Sequence, residues 1–143
     1  MTITPIKILI VDDDSDDRDL IKELIQEELH SYIEISLASN YSEALEHVKN
    51  DSYDVCLFDY ILGQENGIEL LKECRDVGVL TPVIFLTGQG DEIVAVQSIK
   101  AGASDYLPKA GLSSAKLCGS IQHSIEGRDD LKEAVLSNWK ASR

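Results

Sequence analysis

Five aspartates crowded behind one apolar run are the first residues of this chain with chemistry to explain. In KILIVDDDSDDRDL, Ile8, Leu9, Ile10 and Val11 lead into Asp12, Asp13, Asp14, Asp16 and Asp17. Carboxylates within a few ångströms of one another repel by about 4 kcal/mol per close pair at an effective dielectric of about 20. Water, a helix N-terminus or a cation must offset that cost. Further along, Asp59 stands alone behind DVCLF, Thr87 behind PVIFL, and Lys109 behind SDYLP. Asp12, Asp13 and Asp14 behind the first run, with Asp59, offer the hard oxygen donors that suit Mg2+, which takes one or two carboxylates plus waters and a phosphate-like oxygen. A hydroxyl and an ammonium beside such a cation suit phosphoryl transfer, where catalysis is mostly positioning and charge neutralisation. Asp59 is then the nucleophile, since an Asp carboxylate can attack phosphorus to form an acyl phosphate. The acyl phosphate adds charge and acceptor oxygens that Thr87 and Lys109 reach only if their loops move inward, so the chemistry carries a switch.

These residues depend on the elements that must carry them. Residues 6–11 (IKILIV), 54–58 (DVCLF) and 82–86 (PVIFL) are apolar, β-branched runs. That pattern fits strands buried on both faces of a parallel sheet. IEISLA at 33–38 and SDYL at 104–107 read as two more strands. Residues 16–29 place Leu20, Ile21, Leu24, Ile25 and Leu29 on one helical face, and 41–49 do the same with Tyr41, Ala44, Leu45 and Val48. NYSE forms a capping box from Asn40 and Glu43. GIELLKECRDV and DEIVAVQSIKAG read as helices, the second closed by Gly102, and a last helix starts near Ser113. This alternation is that of an α/β doubly wound fold with a five-stranded parallel sheet and right-handed crossovers. Such sheets bind ligands outside the carboxyl ends of their strands. Asp12, Asp13, Asp59, Thr87 and Lys109 all fall there.

Composition narrows the function. A chain of 143 residues, 43% hydrophobic and 27% charged, is expected to form one domain. No apolar run approaches the roughly 20 residues that span a bilayer, and the N-terminal MTITPIKILIV lacks the features of a signal peptide. A cytoplasmic location is expected. The net charge of −13 repels phosphate backbones and argues against nucleic acid as a partner. Cys56, Cys74 and Cys118 have no metal-like spacing and read as reduced, structural thiols. The tail from Glu126 to Arg143, with Val135 and Trp139, continues the last helix despite Gly127, which costs about 1 kcal/mol in helix propensity.

Over residues 5 to 125 the chain resembles the receiver domain of two-component response regulators. The resemblance rests on ILIVDDD, DVCLFDYILGQENGIELL with Asp59 and Gly67, PVIFLTGQG with Thr87, and GASDYLPKAG with Tyr106 and Lys109. It implies the flavodoxin-like (βα)5 receiver fold over 1–125, followed by a helical extension or linker over 126–143. It also implies that Mg2+ is held by Asp13, Asp59 and the backbone carbonyl of Ile61, with Asp12 acting through water. Asp59 would be the phospho-acceptor, and Thr87 and Tyr106 would couple its phosphorylation to a protein-interaction surface. The implied partners are a sensor histidine kinase or phosphotransfer protein, a downstream protein target, and a second copy of the chain in a homodimer. Such a domain is a phospho-acceptor switch that takes part in its own phosphorylation and dephosphorylation, not a metabolic enzyme. Family members usually carry Pro directly after the catalytic Lys, in a cis peptide; here Pro108 precedes Lys109 and Ala110 follows it.

Plainer readings stand beside these. Asp14, Asp16 and Asp17 suit the N-terminal turn of the first helix, although Asp13 and Asp14 could also fill the place of the acidic pair. Tyr106 could be a half-buried core aromatic. His30, His47 and His123 are scattered on helices, and Val135 and Trp139 are either tail residues or a packing surface. Ile61 and Gln89, each two residues beyond a site residue, are placed to shield an incoming water, so slow autodephosphorylation is expected. The alternative to the whole reading is a receiver-like scaffold for dimerisation or docking that is never phosphorylated.

Overall fold

A computed structural model describes residues 4–29, 32–88 and 92–141, with the backbone alone at 92 and 129–141. The chain runs β1 (Ile6–Val11), α1 (Ser15–Glu28), β2 (Ile33–Ala38), α2 (Tyr41–Asn50), β3 (Val55–Asp59), β4 (Ile61–Leu62), β5 (Glu65–Asn66), α3 (Gly67–Asp76), β6 (Val83–Thr87), α4 (Glu92–Lys100), β7 (Asp105–Pro108) and α5 (Ser114–Ala141). Five strands form one parallel sheet in the order β2-β1-β3-β6-β7, and β4 and β5 make a small antiparallel hairpin. The expected doubly wound fold is therefore present, with the strand order of the flavodoxin-like class.

The continuous apolar runs are explained by the two-residue period of a strand, which sends alternate side chains to opposite faces. Leu9, Val11, Cys56, Phe58, Val83 and Phe85 pack with α2 and α3 on one face. Ile8, Ile10, Val55, Leu57, Ile84 and Leu86 pack with Ile21 and Ile25 of α1 and Leu117 and Ile121 of α5 on the other. All three cysteines are free and buried; burial raises the thiol pKa of each, that of Cys74 to about 11.

The helix starts follow local chemistry. Asp14 caps α1 by accepting from the N–H groups of Asp16 and Asp17. Asn40 caps α2 by accepting from Glu43 N, and Glu43 in turn accepts from the Asn40 side chain, not its backbone. Gly102, with φ of 104°, follows α4, as a left-handed helix terminus requires. Helix α5 begins one residue after Ser113, whose Oγ accepts from Lys116 N. It passes residues 125 and 126 without a break. The β4–β5 hairpin was not anticipated from the sequence. It turns at Gly63, with φ of 66°, and returns the chain so that Gly67 N donates to Tyr60 O at 2.8 Å. His30 and Gln89, and the side chains of Val135 and Trp139, lie outside the described residues.

Candidate functional site

Each site residue sits where a buried strand runs out at the carboxyl edge of the sheet. Asp12 follows β1 and is 1% exposed, Asp59 ends β3 and is 8% exposed, and Thr87 ends β6 and is 3% exposed. Asp13 is exposed beside them. The ladder fixes these strand ends in register, pairing Val11 with Phe58 and Asp59 with Leu86. On the far side Lys109 N donates to Thr87 O at 2.7 Å, which draws the loop after β7 toward the same point. That loop is trans throughout, since no cis peptide bond occurs among the described residues.

Lys109 Nζ lies 2.7 Å from Asp12 Oδ2, 2.8 Å from Asp17 Oδ2 and 3.3 Å from Asp59 Oδ2. One ammonium thus faces three carboxylates. Burial alone would lower the Lys109 pKa, but its hydrogen bonds to Asp12 and Asp17 and the charge of Asp59 outweigh burial and raise it. Asp59 moves the other way from an ordinary carboxylate. Burial first, then repulsion from Asp12, push it up to about 6 against the pull of Lys109. The Asp59 carboxylate also accepts from Ile61 N at 3.4 Å.

Asp12, Asp13 and Asp59 each offer a carboxylate oxygen within 4.8 Å of the others. This is an acidic cluster of the kind that holds a divalent cation through oxygen ligands. Asp14 is not part of this cluster; its Oδ1 caps α1. Arg18 Nη1 donates to Asp12 O at 2.6 Å, and Asp14 N donates to Asp12 Oδ1 at 3.0 Å, so the Asp12 carboxylate is held from its own loop. Thr87 Oγ1 is buried without a hydrogen-bond partner. A buried hydroxyl left so costs about 1–3 kcal/mol, which singles out Thr87 from the other polar groups of the edge.

Two contacts at the site were not legible in the sequence. Asp17 belongs to the first turn of α1, as expected, yet its carboxylate also pairs with Lys109. Gly67 is fixed by close approach: a Cβ there would lie 2.7 Å from Asp59 O and 2.5 Å from Phe85 Cε1. Tyr106 is half-buried and packs against the α2–α3 side of the core, where its own N–H donates to Asp105 Oδ1. Ile61 is 61% exposed.

A buried parallel sheet with carboxylates, a hydroxyl and an ammonium gathered at its carboxyl edge defines a phospho-acceptor class of protein. The chain matches the response regulator receiver domain family over residues 8–122. It belongs to that family, the modules of phosphorelay signal transduction. It is 42% identical to the transcriptional regulatory protein CpxR of Escherichia coli over 103 residues, which are 72% of this chain and 42% of CpxR. It is 35% identical to the transcriptional regulatory protein ResD of Bacillus subtilis over 103 residues, 72% of this chain and 41% of ResD. The chain therefore spans less than half the length of these relatives. The CheY-like response regulator receiver domain protein of Methanospirillum hungatei superposes with a TM-score of 0.77 at 28% identity, covering 89% of this chain and 98% of its own. Among the described residues no helix is long and apolar enough to cross a membrane.

Proposed function

We propose that Asp59 is the phospho-acceptor of this receiver domain and that a phosphohistidine on a sensor kinase or phosphotransfer protein is the donor. The observation that carries this reading is the set of contacts around Asp59: the carboxylate lies beside the Lys109 ammonium and the Asp12–Asp13 pair. An Asp59 oxygen would attack phosphorus, forming the O–P bond as the P–N bond to the imidazole breaks. The imidazole would leave with its electron pair and take a proton from solvent. Lys109 would shift from the carboxylates to the new phosphoryl oxygens, and Thr87 would donate to one of them, satisfying its hydroxyl.

The donor set suits Mg2+, which Asp13, Asp59 and the Ile61 carbonyl would hold, with Asp12 acting through water. When bound, the ion supplies positive charge against the carboxylates and the incoming phosphoryl oxygens. Movement of Thr87 would be passed to Tyr106 and so to the surface around α4, β7 and α5. Ile93, Val96 and Ile99 leave exposed apolar groups on α4, which supports a protein as the target of the switch. A cytoplasmic setting, a helical extension or linker over 126–143, and a slow hydrolysis of the aspartyl phosphate belong to the same reading.

The test is intact-mass analysis after incubation with a small-molecule phosphodonor and Mg2+. The expected outcome is one phosphoryl adduct on the unaltered chain and none on Asp59→Asn or after chelation of the metal. An adduct that survives Asp59→Asn would move the acceptor elsewhere. No adduct with any donor would leave a receiver-shaped docking scaffold.

A further inference from the structure

The amino end of the sheet, opposite Asp59, holds a cavity of about 230 Å3 between the end of α3, the starts of β6 and β7, and α5. Arg75, Ser104, His123, Ser124, Gly127 and Arg128 line it. The half-buried Arg75 donates from Nη1 to two carbonyls, Val79 O and Thr81 O, each at 2.9 Å. Among the described residues it has no carboxylate partner. In a chain with 26 acidic residues and 13 Lys and Arg, a half-buried guanidinium with no carboxylate partner among the described residues is out of pattern. Burial accordingly lowers its pKa.

Ser124 points to the same place by a different route. It is 4% exposed, and its hydroxyl has no hydrogen-bond partner. The other buried helical serines are satisfied: Ser98 Oγ donates to Val94 O at 2.7 Å, and Ser120 Oγ donates to Asp105 Oδ2 at 2.6 Å. Gly127 sits one turn beyond His123 and Ser124, and a Cβ there would meet nothing within 4 Å. Packing does not require glycine at that point, and the space beside it stays open.

We propose that this cavity binds a compact oxyanion of the phosphate type, held by the Arg75 and Arg128 guanidiniums and the Ser124 hydroxyl. Arg75 is tied to backbone carbonyls through one nitrogen, and Arg128 is oriented by its Nη1 bond to Asp54 Oδ1. Guanidiniums suit tetrahedral oxyanions because their donors form a planar fork. The volume decides the size of the ligand. At about 230 Å3 it falls below the roughly 300–1,000 Å3 of sites for larger organic molecules, which favours inorganic phosphate over a nucleotide. The site lies at the far end of the sheet from Asp59 and does not depend on the phospho-acceptor reading.

The experiment is an amide NMR titration of the full chain with inorganic phosphate at constant ionic strength, with chloride as the control anion and AMP as the larger phosphate monoester. Saturable shifts are expected at Gly102, Ser104, His123, Ser124 and Gly127, with the loops of Thr87 and Lys109 unmoved. AMP is expected to leave those amides in place, and an equal response to AMP overturns the compact-ligand assignment. Ser124→Val removes a donor to the anion, and Gly127→Leu fills the opening while favouring the helix. Each is expected to weaken phosphate binding about tenfold or more. Non-saturating shifts, shifts confined to the Asp59 end, or unchanged binding in both variants would overturn the proposal.

Discussion

The two ends of the sheet carry charge imbalances of opposite sign. At the carboxyl end, Asp12, Asp17 and Asp59 share the single ammonium of Lys109, and Asp13 adds a further carboxylate. At the amino end, Arg75 and Arg128 line one cavity, Asp54 pairs with Arg128, and Arg75 has no carboxylate partner among the described residues. Each end also keeps a buried hydroxyl without a partner, Thr87 at one and Ser124 at the other. The remaining described ion pair, Lys7 with Asp51, also lies at the amino end, is one-to-one and is partly exposed. Folding alone selects against an uncompensated buried charge, because removing it from water costs more than a surface pair returns. On the readings proposed above, the carboxyl end is open to a cation and a phosphoryl group and the amino end to an anion.

The largest effect is expected from the floor of the carboxyl end. Gly67→Ala would press a methyl against the Asp59 carbonyl and the Phe85 ring. The backbone atom cannot yield as a flexible side chain would, so urea denaturation should show a loss of about 2–3 kcal/mol. Lys109→Met comes next. It leaves the carboxylate of Asp12, at 1% exposure, without its ion-pair partner. Because Lys109 itself keeps 22% of its side chain in solvent, water screens part of the pair and the expected loss is about 2 kcal/mol. Mg2+ should restore much of that loss in the variant. If it restores none, the carboxylates are not a cation site and the comparison between the ends fails.

Much of this arrangement was legible because strand ends are marked by a change from apolar to polar residues. The reading still set β3 and β6 one residue short. Asp59 and Thr87 lie inside the ladder, paired with Leu86 and Pro108, because backbone hydrogen bonds do not depend on side-chain polarity. The β4–β5 hairpin carries two residues per strand, too few for any period to register. Asp14 was legible as a cap from its local sequence alone. The second role of Asp17 was not, since its bond to Lys109 joins residues 92 apart in the chain. The same holds for the amino-end cavity, which Arg75 at the end of α3 and Ser124 of α5 line together although the two helices cover opposite faces of the sheet.

A smaller effect, of opposite sign, is expected from removing the crowded charge itself. Asp59 has its pKa raised from 3.8 to about 6. Between those values the native state holds more protons than the unfolded state, so stability falls as pH rises through that window. The penalty is absent below 3.8 and fully present above about 6. Asp59→Asn removes it. Without metal, the variant should be more stable than the unaltered chain by on the order of 1–2 kcal/mol at neutral pH. Thermal denaturation from pH 4 to pH 7 should show the gap opening as pH rises. Saturating Mg2+ should close it, because the ion favours the charged carboxylate that Asn lacks.

The smallest effect is expected at the amino end, where Arg128 and Asp54 keep 24% and 27% of their side chains exposed. Water already solvates both groups in part, and Asp54 retains a hydrogen bond from Lys7 N at 2.8 Å when Arg128 is lost. A double-mutant cycle over Arg128→Gln and Asp54→Asn should therefore give a coupling below about 1 kcal/mol. The measurement is sharpened by repeating it in phosphate and in chloride. An anion bound beside Arg75 and Arg128 would compete with Asp54 for the same guanidinium, so phosphate should reduce the coupling still further. A coupling of several kcal/mol in both buffers would mean that Asp54 fully neutralises Arg128. The amino end would then be balanced, and only the carboxyl end would be left open to a ligand.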